Sequence, residues 1–248
     1  MNDTVLILGG TGEARRLATE LAARARTRVV SSLAGRVSRP ALPPGEVRIG
    51  GFGGVTGLLD YLAAQRVAAV VDATHPFAAT ITRSAVEATG RLGVPLVLLR
   101  RPGWTPVEGD DWRWVSSLDA AADALRDMGE RVFLSTGRTG LAAFAGLDRH
   151  WFLVRSVEPP EPPTPARMRV LLDRGPFTVE GETRLFTEHR IEVLVTKDSG
   201  GEMTSAKLAA ARALEVPVLI QARPPVPPVP TESTVAGALR WLDRTLAG

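Results

Sequence analysis

Short apolar runs alternate with helical patterns along this 248-residue chain. The first run is 5–8, and after it Ala14, Leu17, Ala18 and Leu21 share one face of a helix. Further strands are predicted at 29–30, 46–49, 67–71, 94–99, 151–157 and 191–195. Helices are predicted at 55–64, 78–92, 118–128, 179–189 and 204–214. This alternation of strand and helix predicts an α/β fold built on parallel sheets.

Three other segments have weaker patterns. The stretch 103–117 contains Trp104, Trp112 and Trp114, and we expect a loop whose tryptophans pack onto the domain. A short helix is predicted at 166–174, after a stiff proline-rich connector. Ser233 is expected to cap a last helix at 234–246.

The second half of the chain repeats the plan of the first. The strand and glycine turn at 5–12 correspond to 132–140, and the strand at 94–98 corresponds to 216–220. Such internal similarity predicts two Rossmann-like halves.

We therefore expect two domains with parallel sheets and a ligand cleft between them. Residues 1–128 would form the cofactor-binding domain, and residues 129–248 would form the substrate-binding domain. The strands at 94–99 and 216–221 could each pair in the other half, since both precede long crossing segments.

The composition excludes several classes of protein. The chain has no cysteine, which excludes disulfides, thiolate catalysis and cysteine-ligated metals. The net charge is only +3, and apart from Lys197 and Lys207 the basic residues are arginines interleaved with acids. No metal-ligand spacing or long apolar run is seen, and we expect no leader and no membrane-spanning segment. We expect a cytoplasmic protein that binds no metal, nucleic acid or membrane.

The turn after the first strand has the features of an anion-binding site. Its glycines let the backbone approach a pyrophosphate, and the next helix supplies free N–H groups and its dipole. A full dinucleotide fingerprint would have a third glycine where Arg15 stands, so a plain turn that binds nothing is the alternative. The predicted cofactor-binding residues here are Gly9, Gly10, Thr11, Gly12 and Glu13.

The end of the second strand indicates which dinucleotide binds. An NAD site has an acidic residue at this point, whereas this chain has Ser31, Ser32 and Arg36, which suit a 2′-phosphate. We predict NADPH as the cofactor, with Ser32 and Arg36 among its ligands. Gly51 lies in a glycine-rich turn at the same sheet edge and is expected to allow close approach of the cofactor.

A titratable cluster follows the fourth predicted strand. Asp72, Thr74 and His75 lie at the carboxyl end of that strand, where α/β proteins place their chemistry. Pro76 holds His75 in an extended conformation. We expect Thr74 to contact the cofactor and His75 to contact substrate, and Asp72 and His75 are the candidate proton donors.

Two turns of the second half carry hydroxyl groups and positive charge. They contain Ser135, Thr136, Gly137 and Arg138, and Lys197, Ser199, Gly200 and Gly201. These groups suit a large, multiply anionic substrate. The residues alone predict an NADP-dependent reductase of an anionic small molecule. A nucleotide-sugar transferase with two Rossmann-like domains and a non-catalytic NADP-binding sensor are the alternatives.

Five segments together resemble the precorrin-6A reductase family of cobalamin biosynthesis. Its specific motifs here are Asp-Ala-Thr-His-Pro-Phe-Ala at 72–78 and Lys-x-Ser-Gly-Gly at 197–201, and the other segments are 9–14, 32–36 and 135–138. The resemblance spans nearly the whole chain. It implies a monomer that uses NADPH to reduce one double bond of the tetrapyrrole precorrin-6A, giving precorrin-6B. Our hypothesis is that His75 orients a ligand, and whether the substrate carries cobalt stays open.

Overall fold

A computed structural model of the chain describes residues 3–35 and 42–247. The chain divides into two compact units: unit 1 contains residues 1–102 and 224–248, and unit 2 contains residues 103–223. In the described part of the chain, each unit is built on one six-stranded parallel sheet, which confirms the predicted fold class. The predicted cofactor ligand Arg36 lies outside the described residues.

Unit 1 has helices on both faces of its sheet. Its strands are β1 (Asp3–Leu8), β2 (Thr27–Leu33), β3 (Glu46–Ile49), β4 (Val67–Asp72), β5 (Leu96–Leu99) and β12 (Thr231–Glu232). They lie in the order β12-β5-β4-β1-β2-β3. Its helices are α1 (Gly12–Ala22), α2 (Gly54–Ala64), α3 (Ala79–Leu92) and α7 (Val235–Leu246).

Unit 2 repeats this topology. Its strands are β6 (Trp112–Val115), β7 (Arg131–Ser135), β8 (Trp151–Ser156), β9 (Met168–Leu172), β10 (Val193–Lys197) and β11 (Val218–Gln221). They lie in the order β6-β11-β10-β7-β8-β9. Its helices are α4 (Leu118–Leu125), α5 (Val179–Glu188) and α6 (Ala206–Ala213), with short 3₁₀ turns at Leu141–Phe144 and Glu202–Thr204.

The central strand of unit 1 is buried on both faces. Val5 and Ile7 pack in a cluster with residues of α1 and α7, including Leu17. Leu6 and Leu8 pack on the opposite face with residues of α2 and α3. A strand covered on both faces is apolar at every position, which explains why 5–8 shows no alternation of polar and apolar residues.

The central strand of unit 2 is covered in the same way. Val132 and Leu134 pack in a cluster with residues of α4. Phe133 points to the other face, where its ring meets that of Phe186 on α5 edge to face, with 5.6 Å between centroids. Aromatic rings prefer this arrangement to a direct face-to-face stack.

The sixth strand of each sheet comes from the part of the chain that otherwise builds the other sheet. β6 and α4 follow the strands of unit 1, yet β6 pairs with β11 in unit 2. β12 and α7 follow the strands of unit 2, yet β12 pairs with β5 in unit 1. Strand exchange is therefore present. The exchanged strands are β6 and β12. The expectation that 94–99 and 216–221 would pair in the other half was wrong, because β5 and β11 remain beside β4 and β10.

This exchange makes the units differ from the expected domains 1–128 and 129–248. Residues 103–128 belong to unit 2, and residues 224–248 belong to unit 1. The expected boundary separates two sequence repeats. The observed boundaries of the units instead depend on which strand pairs with the free edge of β5 and of β11. Backbone pairing of this kind leaves no signal in the hydrophobic pattern.

Three predicted local structures were wrong. The segment 103–117 contains a strand, β6, and 166–174 contains β9 rather than a helix. Both are short edge strands that form because a neighbouring strand supplies hydrogen-bond partners. The cap of α7 is Thr234 rather than Ser233, since the Thr234 hydroxyl accepts the Gly237 N–H at 3.0 Å.

Candidate active site

The sheets of both units change direction of winding at their centre. In unit 1 this switch point lies between β1 and β4, and in unit 2 it lies between β7 and β10. Ligands of open α/β sheets bind outside the carboxyl ends of the strands at such a point. The turns singled out in the sequence follow these four strands, so the fold places them at two switch points.

The glycine turn after β1 is shaped by close backbone contacts. The Gly9 N–H donates to the Ser32 carbonyl at 2.9 Å, and a Cβ on Gly9 would lie 3.3 Å from the Leu33 side chain. Gly10 has a φ of +117°, which disfavours any other residue. Nothing lies within 4 Å of where a Gly10 Cβ would be, so the turn has open space beside it.

Thr11 is the N-cap of α1. Its buried hydroxyl accepts the Ala14 N–H at 3.1 Å and donates to the Ala73 carbonyl at 2.7 Å. One side chain therefore orients the first turn of the helix and ties it to the end of β4. Because β1 and β4 are parallel neighbours, the predicted residues Thr11 and Thr74 lie at the same edge of the sheet.

Glu13, in the first turn of α1, forms ion pairs with two arginines. Its carboxylate lies 2.8 Å from Arg101 and 3.4 Å from Arg16. Burial alone would raise the pKa of Glu13, but its backbone hydrogen bond and these two arginines lower it overall. Glu13 thus stays ionised and holds Arg101 beside the glycine turn. No role for Arg101 was predicted from the sequence.

The tips of β2 and β3 form the next part of this edge. Ser31 and Ser32 are buried, and the Ser31 hydroxyl has no partner among the described residues. Arg48 holds the glycine-rich turn after β3, because its guanidinium donates to the Gly51 carbonyl at 2.7 Å and lies 3.9 Å from the centre of the Phe52 ring. Gly51 is exposed there.

Asp72 lies at the end of β4 and is buried. Its carboxylate accepts hydrogen bonds from the Thr74 N–H at 3.0 Å, the Thr74 hydroxyl at 2.6 Å and the Thr82 hydroxyl at 2.6 Å. Arg100 lies 4.0 Å away and donates to Thr82 at 3.0 Å and to the Pro76 carbonyl at 2.9 Å. These contacts fix the path of the chain after β4.

His75 follows this buried cluster and is half-exposed. Its Nδ1 accepts the Phe77 N–H at 3.3 Å, and its carbonyl accepts the Ala78 N–H at 2.8 Å. The imidazole is thereby oriented by its own turn, with Nδ1 as an acceptor. His75 is partly exposed, whereas Asp72 is buried.

In unit 2, Lys197 joins the two turns that the sequence singled out. Its ammonium donates to the Thr136 carbonyl at 3.1 Å, and desolvation by burial lowers its pKa. The Thr136 hydroxyl is buried without a partner among the described residues. Arg138 is half-buried and forms no ion pair in the described part of the chain. A cation and an unpaired hydroxyl therefore lie at one strand edge.

The turn after β10 bends sharply. The Ser199 N–H donates to the Lys197 carbonyl at 2.6 Å, and Gly200 and Gly201 have φ values of +63° and +74°. Asp198 lies inside this turn and is buried. Asp198 stands at the unspecified position of the Lys-x-Ser-Gly-Gly motif, for which no role was predicted.

Two further observations concern metal binding and membrane-spanning helices. Within residues 3–35 and 42–247, no three His, Asp or Glu side chains are grouped as metal ligands would be. In the same residues, no helix combines the length and apolar character needed to cross a bilayer.

Two doubly wound parallel sheets, each with glycine-containing turns at its switch point, define an α/β protein of the Rossmann-like class. Residues 4–243 match the family model described as precorrin-6x reductase CbiJ/CobK. The chain belongs to this family, which confirms the resemblance seen in its motifs.

Individual relatives agree with the family model. The chain is 56% identical over 239 residues to precorrin-6A reductase of Rhodococcus erythropolis, with 96% of each chain covered. It is 51% identical over 241 residues to precorrin-6A reductase of Mycobacterium tuberculosis, again with 96% of each covered. A solved structure of CobK precorrin-6A reductase superposes with a TM-score of 0.92 at 44% identity, covering 98% of this chain and 97% of the other.

Proposed function

We propose that this chain catalyses the NADPH-dependent reduction of one double bond of precorrin-6A, giving precorrin-6B. Membership of a reductase family makes the chain an oxidoreductase acting on a CH–CH bond. The proposal rests on the turns at the two switch points. The turn in unit 1 is rich in glycine, and the turns in unit 2 contain Lys197 and Arg138. A nucleotide-sugar transferase or a non-catalytic sensor would not be expected to match this family along its whole length.

The residues of unit 1 fit a dinucleotide. The Gly9 to Gly12 turn leaves open space beside Gly10, and the N-terminus of α1 favours a phosphate group there. Arg101, held by Glu13, adds positive charge at the same place. When bound, NADPH supplies a hydride to the substrate. The remaining tasks, which are orientation and charge, belong to the protein.

The preference for NADPH over NADH rests on the end of β2. Neither Ser31 nor Ser32 is an acid that would bind a ribose 2′-hydroxyl, and Arg36 follows shortly after in the sequence. A guanidinium binds a phosphate through two parallel hydrogen bonds. Gly51 and Thr74 complete the proposed cofactor contacts.

The residues of unit 2 fit a substrate with many carboxylates. We assign substrate binding to Ser135, Thr136, Gly137, Arg138, Lys197, Ser199, Gly200 and Gly201. The half-buried ammonium of Lys197 and the unpaired Arg138 supply positive charge, and Thr136 supplies a buried hydroxyl. Charge-assisted hydrogen bonds of this kind bind carboxylates strongly.

Reduction of a carbon–carbon double bond also needs a proton. Of the two predicted donors, Asp72 is buried and uses its carboxylate to accept hydrogen bonds from Thr74 and Thr82. We therefore give Asp72 a positioning role. His75 lies at the site surface, where it orients a ligand, and solvent or a substrate carboxyl group supplies the proton.

Four finer assignments complete the proposal. The relatives above 50% identity are named for precorrin-6A, which supports a substrate without cobalt. We further propose a monomer in the cytoplasm that binds no nucleic acid. Size-exclusion chromatography with light scattering would check the oligomeric state.

The decisive experiment is an anaerobic spectrophotometric assay with purified protein, NADPH and metal-free precorrin-6A. We expect loss of nicotinamide absorbance together with a change in the macrocycle spectrum, and little turnover with NADH. Turnover only with the cobalt-containing substrate would overturn the metal-free assignment. Binding of NADPH without consumption on either substrate would favour the sensor.

A further inference from the structure

The buried carboxylate of Asp198 contacts residues at both ends of the segment 103–223, which forms unit 2. Its Oδ1 accepts the Trp104 N–H at 3.0 Å, and its Oδ2 lies 3.0 Å from Arg223 Nε. Arg223 Nε also donates to the Asp198 carbonyl at 2.9 Å. Unit 2 begins at Gly103 and ends at Arg223, so these contacts hold both of its ends, at Trp104 and Arg223, beside the tip of β10.

The chain comes unusually close to this carboxylate. A Cβ on Gly103 would lie 2.5 Å from Asp198 Oδ2, so only glycine allows the observed approach. Trp104 continues the contact, because its indole Nε1 donates to the Gly201 carbonyl at 3.0 Å. Lys207, on α6, places its Nζ 4.7 Å from the centre of the Trp104 ring.

The residues held in this way frame the turn 197–201. Asp198 lies between Lys197 and Ser199, and Trp104 binds the far end of the turn at Gly201. The negative charge of Asp198 would oppose an anionic ligand beside Lys197, but the guanidinium of Arg223 pairs with it. The pairing therefore compensates the negative charge of Asp198 beside Lys197.

We propose that Asp198 is a positioning residue that holds the turn 197–201 in the geometry that binds the carboxylates of the substrate. The inference rests on the proposed function, which assigns Lys197 and Ser199 to substrate. It adds a residue that contacts no substrate and acts through its neighbours. Trp104 and Arg223 are the side chains through which it acts.

The test compares Asp198→Asn with a matched control, Asp110→Asn. Asp110 is also a buried aspartate of unit 2, with a backbone N–H from Val107 at 2.8 Å and an arginine, Arg212, at 3.3 Å. We expect Asp198→Asn to raise the KM for precorrin-6A about tenfold or more and to leave the Kd of NADPH unchanged. Asp110→Asn should lower the Tm but leave both constants unchanged.

A second readout follows the turn itself. With 5-fluorotryptophan incorporated, the ¹⁹F signal of Trp104, assigned by Trp104→Phe, should shift in Asp198→Asn and stay in place in Asp110→Asn. If Asp198→Asn does not fold, Arg223→Gln tests the same pairing and should raise KM in the same direction.

The outcomes separate this inference from the proposed function. An unmoved Trp104 signal, or an equal rise in KM in both aspartate variants, overturns the positioning role. If Lys197→Met raises KM and Asp198→Asn does not, the positioning role fails and the proposed substrate turn stands. If neither variant changes KM while wild-type protein reduces precorrin-6A, the assignment of this turn to substrate fails as well.

Discussion

The hydroxyl of Thr11 lies 2.7 Å from the carbonyl oxygen of Ala73 and donates a hydrogen bond to it across 62 residues of chain. This bond joins the turn after β1 to the end of β4. In unit 2, Lys197 Nζ donates to the Thr136 carbonyl at 3.1 Å and joins the end of β10 to the turn after β7. Each switch point is thus bridged by one side chain.

Replacement of Thr11 by valine keeps the shape of the side chain and removes both hydrogen bonds of the hydroxyl. The free energy of unfolding should fall by about 1–2 kcal/mol, because a helix cap is lost. The Kd of NADPH should rise about tenfold, because the turn loses its tie to β4. Urea denaturation and isothermal titration calorimetry would measure these effects.

A control for this variant is Thr178→Val, which removes the N-cap of α5 in unit 2. There the hydroxyl accepts the Gly181 N–H at 3.1 Å. This control should be less stable than wild type while binding NADPH normally. An unchanged Kd of NADPH in Thr11→Val would contradict the role of Thr11.

Asp72→Asn tests whether the buried carboxylate positions the chain or gives a proton. The amide cannot accept every hydrogen bond from Thr74 and Thr82, so the free energy of unfolding should fall by about 2 kcal/mol. Well below its Tm, the variant should keep kcat within about tenfold of wild type. A fall in kcat of roughly a hundredfold at wild-type stability would show that Asp72 is the proton donor.

His75→Ala tests the proposed orienting role of the imidazole. We expect a higher KM for precorrin-6A and a kcat reduced by no more than about tenfold, since general acid catalysis typically contributes more. Steady-state kinetics and binding titrations with each ligand would separate the two effects. Complete loss of turnover with normal binding of both ligands would identify His75 as an essential acid.

The desolvated ammonium of Lys197 predicts an alkaline limit to substrate binding. Burial lowers its pKa from the usual 10.5, so the charge is lost at a lower pH than on an exposed lysine. The KM for an anionic substrate should therefore rise as the pH increases from 7 towards 10. In Lys197→Met the KM should be higher at pH 7 and vary less with pH. Parallel pH profiles would refute the prediction.

Lys207 predicts a pH dependence of stability. Burial is the main cause that lowers its pKa from 10.5 to about 7, with Arg155 adding to the effect. Between these values the unfolded chain binds a proton that the folded chain does not, so the free energy of unfolding rises with pH. The slope from one such group is at most about 1.4 kcal/mol per pH unit.

Denaturation of wild type and Lys207→Met at pH 7, 8 and 9 would isolate this contribution. Wild type should gain stability relative to Lys207→Met as the pH rises. An identical pH dependence in both proteins would show that Lys207 keeps its proton in the folded state.

The apolar runs correctly predicted most of the central strands because these strands are buried on both faces. The run 5–8 became β1, and the strand predicted at 191–195 became β10 (Val193–Lys197). Edge strands were harder. Trp112–Val115 and Met168–Leu172 have no buried position, and pairing with β11 and β8 decides their conformation.

The same division applies to the candidate site. Glycines and polar residues directly after apolar runs indicated the turns after β1, β4, β7 and β10. Arg101 and Asp198 were not recognised, because their importance depends on partners far away in the chain. Arg101 pairs with Glu13, and Asp198 binds Trp104 and Arg223.

The sequence by itself determined the parallel α/β class, the repeated plan and the turns that carry the chemistry, since these follow from local periodicity and residue type. The family followed from motifs of a few residues. Only the tertiary structure decided which sheet receives β6 and β12, and hence where each unit begins and ends. An edge strand gains its stability from backbone hydrogen bonds to its neighbour, and every sequence offers the same backbone groups.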